Sequence, residues 1–173
     1  ERFTDKTISE LVKACFDMGE VKTGALIVIE QNELLTDYIR TAINLDAILT
    51  SQLLINIFEH NTPLHDGAVI VRENRIVAAT CYLPLSDNME LSKQLGTRHR
   101  AGVGISEATD SLTIIVSEET GQVSVAQGGE LSRGLNSKQL REVLVAAQNK
   151  KVVDNSKLRN LLKGRVKHEE KSD

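Results

Sequence analysis

The sequence predicts an α/β domain with a central mixed β-sheet flanked by helices on both faces. Short aliphatic runs of strand length (GALIVIE, AVIV, LTIIVS) alternate with amphipathic segments of helical period. After the first run the strand-like segments come in close pairs, as antiparallel neighbours do, whereas the others are separated by helices. The 173 residues, 40% hydrophobic and 26% charged, suffice for a sizeable core in one domain. Aromatic residues are only 3% and Trp is absent, so that core is aliphatic.

Residues 5–18 read as an amphipathic helix, with Ile8, Leu11, Val12 and Cys15 at i, i+3, i+4, i+7. Thr7 and Glu10 have capping-box spacing there, with Asp5 as an alternative cap. Residues 24–30 read as a buried strand, and residues 50–59 as a second helix with Leu53, Leu54, Ile57 and Phe58 on one side. Asn61 to Pro63 ends that helix. Residues 68–71 and 76–83 form an expected hairpin across the polar link 72–75, closed by Pro84. The segment LSDNMELS reads as a loop. Residues 97–108 have helical character despite Gly102 and Gly104, which would let this helix pack closely on the sheet. Residues 112–117 and 122–126 read as a second strand pair around a Glu-Thr-Gly turn. Residues 137–148 form the clearest helix, with Asn136 and Gln139 in a capping box. A last basic helix is expected over 154–165. The division is a domain over 1–150 and a basic tail over 151–173.

Charge and cysteines exclude several classes. The net charge is −3 and the pI near 5.9, so the chain is not a generally basic nucleic-acid binder. Scarce aromatics argue against a base-stacking single-strand binder. Residues 150–173 are locally basic, a solvated helix face or a surface for an anionic membrane or a regulatory partner. Cys15 and Cys81 lie far apart with no CxxC, as expected of buried apolar thiols in a reducing compartment. No apolar run is long enough to span a membrane and no signal peptide is visible. The start at Glu1 rather than Met suggests a piece of something longer.

Common catalytic signatures fail: there is no P-loop, no HExxH, no paired CxxC and no GxSxG elbow. Gly102-Val-Gly104 begins like a dinucleotide fingerprint, but Glu107 stands at the third glycine position. Three unusual segments remain. Leu64-His65-Asp66-Gly67-Ala68 directly precedes a strand; its Asp beside His ligates a metal, orients a hydroxyl or simply makes a turn. Gly67 admits close approach of a ligand to the backbone. In Gly96-Thr97-Arg98-His99-Arg100, Thr97 is the expected N-cap, placing three basic residues in the first helical turn against the helix dipole. Free N–H groups plus two guanidinium forks suit a polyphosphate; the bland alternative is a solvated basic turn. Ser117-Glu118-Glu119-Thr120-Gly121 is a plain turn, or else offers a hydroxyl to a phosphate and carboxylates to a divalent ion. Together the three fit nucleotide chemistry with a hard metal.

LHDGAVIV, followed by GTRHRAGVGISEATDSLTIIVSEETGQVSVAQGGEL, resembles the diadenylate cyclase domain. The DGA and RHR motifs are that family's signatures, both are intact, and the similarity runs from about Lys13 to about Gln148. The segment before them is most similar to the membrane-anchored class, in which transmembrane helices precede the domain and hold it at the cytoplasmic face of the bacterial membrane. The resemblance implies that two ATP molecules, one per domain, are condensed into cyclic di-AMP with release of two pyrophosphates. It also implies a homodimer of facing domains and a divalent ion, Mg²⁺, Mn²⁺ or Co²⁺. By matching motif, Asp66 would activate the 3′-hydroxyl. Gly67 and Ala68 would line the ribose and α-phosphate. Thr97, Arg98 and Arg100 would serve the triphosphate, with His99 structural or phosphate-facing. Ser117 and Glu118 would lie against the phosphates, Tyr82 and Leu83 would border the adenine, and His65, Asp66 and Glu119 would ligate the metal. A regulator protein and phosphoglucosamine mutase are partners implied by the membrane class. The competing readings are a catalytically silent ATP or cyclic-dinucleotide sensor, which would lack the DGA aspartate or an RHR arginine, and a nucleotidyltransferase acting on a large acceptor.

Overall fold

A computed structural model describes residues 1–149, so the expected basic helix over 154–165 and the tail over 151–173 lie outside the described residues. The described chain forms α1 (Asp5–Glu20), β1 (Ala25–Ile29), α2 (Thr36–Ile39), β2 (Ile43–Ile48), α3 (Ser51–Phe58) and β3 (Ala68–Arg72). It continues through β4 (Arg75–Cys81), α4 (Thr97–Ala108), β5 (Leu112–Val116), β6 (Val123–Gln127), β7 (Glu130–Leu135) and α5 (Ser137–Gln148). The strands make one seven-stranded sheet in the order β2-β4-β3-β1-β5-β6-β7. β1 and β3 run parallel and every other neighbouring pair is antiparallel, which makes the sheet mixed, as expected.

The three central strands read as unbroken aliphatic runs because both faces of the sheet are covered. In β1, Ala25, Ile27 and Ile29 face a core built with α1, α3 and α5, including Leu11, Leu54 and Leu140. Leu26 and Val28, pointing the other way, join Val103 and Ile105 of α4. Helices therefore flank both faces. In α4, Gly102 sits against the side chains of Ile115 and Thr113, but a Cβ at Gly104 would stand 1.8 Å from the Pro84 carbonyl oxygen. The first glycine thus lets α4 onto the sheet, while the second admits the loop that follows β4.

Two expected caps move. Thr4, not Thr7 or Asp5, caps α1, its hydroxyl accepting from the Thr7 N–H at 3.3 Å. The Thr7 hydroxyl instead donates to Asn74 at 2.7 Å. The Glu10 carboxylate accepts the Ser51 N–H at 2.6 Å, joining α1 to the start of α3, and these Ser51 contacts hold its carboxyl below the usual range. The capping box of α5, Asn136 with Gln139, forms as expected. Three elements were not foreseen: the single turn α2 and the edge strands β2 and β7. β2 is largely exposed and carries Asp46 at φ 50, so the alternation that betrays a strand is broken.

Candidate active site

Register gathers the three unusual segments at one end of the sheet. Ala25 pairs with Val116, Ile27 with Val69, and Ala68 with Cys81. The starts of β1 and β3 and the ends of β4 and β5 are therefore neighbours. A cavity of about 680 Å³ opens there, within the ~300–1,000 Å³ range typical of small-ligand sites.

His65, Asp66 and Gly67 reach the cavity from the approach to β3, and Tyr82 and Leu83 from the exit of β4. Thr97, Arg98 and His99 enter from the start of α4, and Ser117, Glu118 and Glu119 from the turn after β5. Ala68 and Arg100 are not in its lining: Ala68 is fully buried in the sheet, and the backbone carbonyl of Arg100 accepts the Ser86 N–H at 2.9 Å. Gly67 has φ 77, and a Cβ there would stand 2.8 Å from the Cys81 carbonyl oxygen, so both conformation and space require glycine beside Asp66. Opposite, β4 has a bulge: Ala68 pairs with Cys81 but Ile70 with Ala78. Thr80 sits in this bulge at φ 56 with its buried hydroxyl unpartnered. A β-branched residue in that region carries strain of about 1–3 kcal/mol, and bulges of this kind re-aim the chain beside functional sites.

The α4 N-terminus differs by one residue from expectation. Gly96 is the N-cap, with no side-chain cap, and Thr97 is the first helical residue. Arg98 and His99 remain in the first turn, where uncapped N–H groups and the helix dipole favour an anion. The Arg98 guanidinium lies over Gly24 and pairs with Glu118 at 3.2 Å. Burial holds the His99 ring below its usual pKa, helped by the charges of Arg133 and Arg98 and opposed by Glu119. At neutral pH His99 is thus a neutral hydrogen-bonding group among cations. The Ser117 hydroxyl accepts the N–H groups of Glu119 and Thr120, both at 3.2 Å, which leaves its own proton free to donate. Cys81 also borders the cavity, but burial pushes its thiol up to about 12, so it is not a nucleophile.

The donors suit a divalent cation shared with a ligand. His65 Nδ1 lies 2.7 Å from the Thr62 carbonyl oxygen, which can only accept, so Nδ1 carries the proton. In the neutral ring Nε2 then presents a lone pair 3.3 Å from Asp66 Oδ1. Two facing lone pairs call for a proton or a cation between them. Among the described residues no three His, Cys, Asp or Glu side chains form a metal group. The pair alone supplies two donors, fewer than a hard divalent cation takes, so any cation held there would need oxygens from a ligand or water as well. Glu119 borders the same cavity without joining the pair.

Gly24, His60 and Arg133 also belong to this region and were missed by sequence reasoning. For Gly24 a signal existed, a glycine immediately before a strand, where close approach is common. Arg133 lies in a polar stretch that gave no sign of a strand.

The sequence profile of the family described as DisA bacterial checkpoint controller nucleotide-binding matches residues 12–131. The chain is 54% identical over 165 residues to the cyclic di-AMP synthase CdaA of Bacillus subtilis, covering 95% of this chain and 60% of that protein. It is 52% identical over 145 residues to the diadenylate cyclase of Listeria monocytogenes, covering 84% and 53% respectively. The chain thus spans between half and three-fifths of these curated relatives. Among solved structures, a double mutant of DacA from Staphylococcus aureus superposes with a TM-score of 0.82 at 48% identity, covering 83% of this chain and 96% of that one. A hypothetical membrane spanning protein from Bacillus cereus gives a TM-score of 0.73 at 46% identity, covering 78% and 65%. Fold, motif geometry and profile agree: the chain belongs to the DisA bacterial checkpoint controller nucleotide-binding family, the DAC domains.

Proposed function

We propose that this domain is a diadenylate cyclase, joining two ATP molecules into cyclic di-AMP and releasing two pyrophosphates. The observation that carries the reading is the meeting, in one cavity, of an aspartate beside a left-handed glycine, an uncapped helix start bearing Arg98, and the Ser117–Glu118 turn. The names of its relatives point the same way. Nucleotidyl transfer needs positioning and neutralised charge rather than a covalent protein nucleophile. Tyr82, exposed at the rim, and Leu83 flank the base. Asp66, at the cavity wall beside Gly67, takes the proton of the ribose 3′-hydroxyl as the new O–P bond forms. The bond between the α-phosphorus and its bridging oxygen breaks, and the electrons leave with pyrophosphate. Arg98, the α4 N–H groups and the Ser117 hydroxyl stabilise the growing negative charge. When bound, a divalent ion supplies Lewis-acid polarisation, and His65 with Asp66 would hold it on the protein side.

Ring closure requires this transfer twice, once in each direction, so two copies must face each other across their cavities. In the longer protein the domain is carried on the inner face of the membrane; no helix among the described residues is itself long and apolar enough to cross one. The test is product analysis. Incubation with ATP and Mn²⁺ or Mg²⁺, followed by chromatography with mass detection, should yield cyclic di-AMP and pyrophosphate. ATP that binds but stays intact at high protein concentration with every metal tried would overturn the assignment in favour of a sensor.

A further inference from the structure

We infer that Arg133, delivered by a bulge in the edge strand β7, is a second guanidinium of the triphosphate site, in the role that motif matching gives to Arg100. The inference rests on the cyclase reading and extends it to an element outside both motifs.

Two independent observations place Arg133 there. It borders the cavity that holds Arg98 and His99, whereas Arg100 does not. Among the described residues it has no ion-pair partner, while Arg98 is shared with Glu118. The second observation is backbone register. Val123 pairs with Leu135 but Val125 with Ser132, so Arg133 and Gly134 together oppose the single residue Ser124. Gly134 takes φ 67, a conformation that favours glycine. In a regular strand Leu131 and Leu135, four residues apart, would share a face. Here Leu131 packs on the α4 side and Leu135 on the side of α1 and α5. The extra residue switches the strand between layers, and Arg133 stays with Leu131 on the α4 side, where the cavity opens. Bulges at sheet edges are a recurrent device for re-aiming one side chain toward a site. The depressed basicity of His99 agrees with this placement, since the Arg133 charge acts on that ring.

An unpaired guanidinium at the cavity wall reads phosphate oxygens with a bidentate fork. Arg133 would therefore distinguish a triphosphate from a monophosphate rather than recognise the nucleoside. The experiment is calorimetric titration of the domain, in Mg²⁺, with a non-hydrolysable ATP analogue and with AMP. Arg133→Gln should weaken the analogue at least fivefold and leave AMP within twofold. Arg133→Lys should fall between, and Gly134→Ala, which disfavours the bulge, should mimic Arg133→Gln in direction. Arg133 is exposed on an edge strand, so the melting temperature of Arg133→Gln should stay near that of the parent. Analogue binding within twofold of the parent, or equal weakening of analogue and AMP, would overturn the inference while leaving the cyclase reading intact. A parent domain that binds no analogue would overturn the cyclase reading, and the role of Arg133 with it.

Discussion

A single methyl group at position 24 should disable the proposed triphosphate site without unfolding the protein. A Cβ on Gly24 would stand 2.4 Å from Nη1, 2.6 Å from Cζ and 3.1 Å from Nε of Arg98. Comfortable heavy-atom contact is about 3.5–4.0 Å, so in Gly24→Ala the guanidinium must retreat by about 1 Å or more. The clash is with the far end of a flexible side chain, so the fold can yield. Gly24 is not in the left-handed region, so alanine fits its backbone and restricts the unfolded chain, offsetting about 0.4–1 kcal/mol of any cost. Arg98 loses its place over Gly24 and its 3.2 Å pairing with Glu118. Losing one charged hydrogen bond to phosphate costs about 1.5–3 kcal/mol, or about 10- to 150-fold in affinity. Titration with a non-hydrolysable ATP analogue would read this directly, with thermal melting as the control. In an Arg98→Ala background, adding Gly24→Ala should have almost no further effect. Full analogue affinity in Gly24→Ala, or an equal loss with and without the Arg98 side chain, would refute the reasoning.

Other consequences are as specific. Asp66→Asn should keep the melting temperature and much of the ATP binding while lowering turnover about 10²- to 10⁴-fold, measured as cyclic di-AMP formed per minute; an active variant would remove Asp66 from the chemistry. Gly104→Ala should destabilise the domain by about 1–3 kcal/mol in urea titration, because its methyl meets the Pro84 carbonyl, which is backbone and cannot swing aside. Leu54→Ala, in a fully buried position of the core beneath α1 and α3, should cost about 2–5 kcal/mol. The pH dependence follows from His99. Its pKa in the folded protein lies below the unfolded value of about 6.5, so the unfolded chain binds the proton more readily. Its contribution to stability is complete above about 6.5 and is lost as the pH falls through that value toward the lowered one. The urea midpoint should fall less on acidification in His99→Gln than in the parent, and identical pH profiles would contradict the placement of His99.

Much of this architecture was legible in the residues themselves. The runs ALIVI, AVIVR and LTIIV announce strands because burial on both faces leaves no room for polar alternation. The helices α1, α3 and α5 show one apolar stripe because each covers a single face of the sheet. The DGA and RHR segments flagged the site because their residues fit their local structure poorly: cations at a helix start, and an Asp-Gly before a buried strand. Local pattern records burial, and burial is a property each residue carries along the chain.

What the pattern does not record is which distant segment lies alongside. The parallel pairing of β1 with β3, skipping over α2, β2 and α3, follows from neither segment alone. The edge strands β2 and β7 escaped because most of each is solvent-facing and a bulge breaks its period. The same cause hid Arg133. Its direction is set by a one-residue slip against β6, not by its neighbours in sequence, whereas Arg100, itself a residue of the RHR motif, does not line the cavity. Composition and periodicity determined the layers, and the DGA and RHR segments marked the candidate chemistry; long-range hydrogen-bond register decided which side chains meet at the cavity.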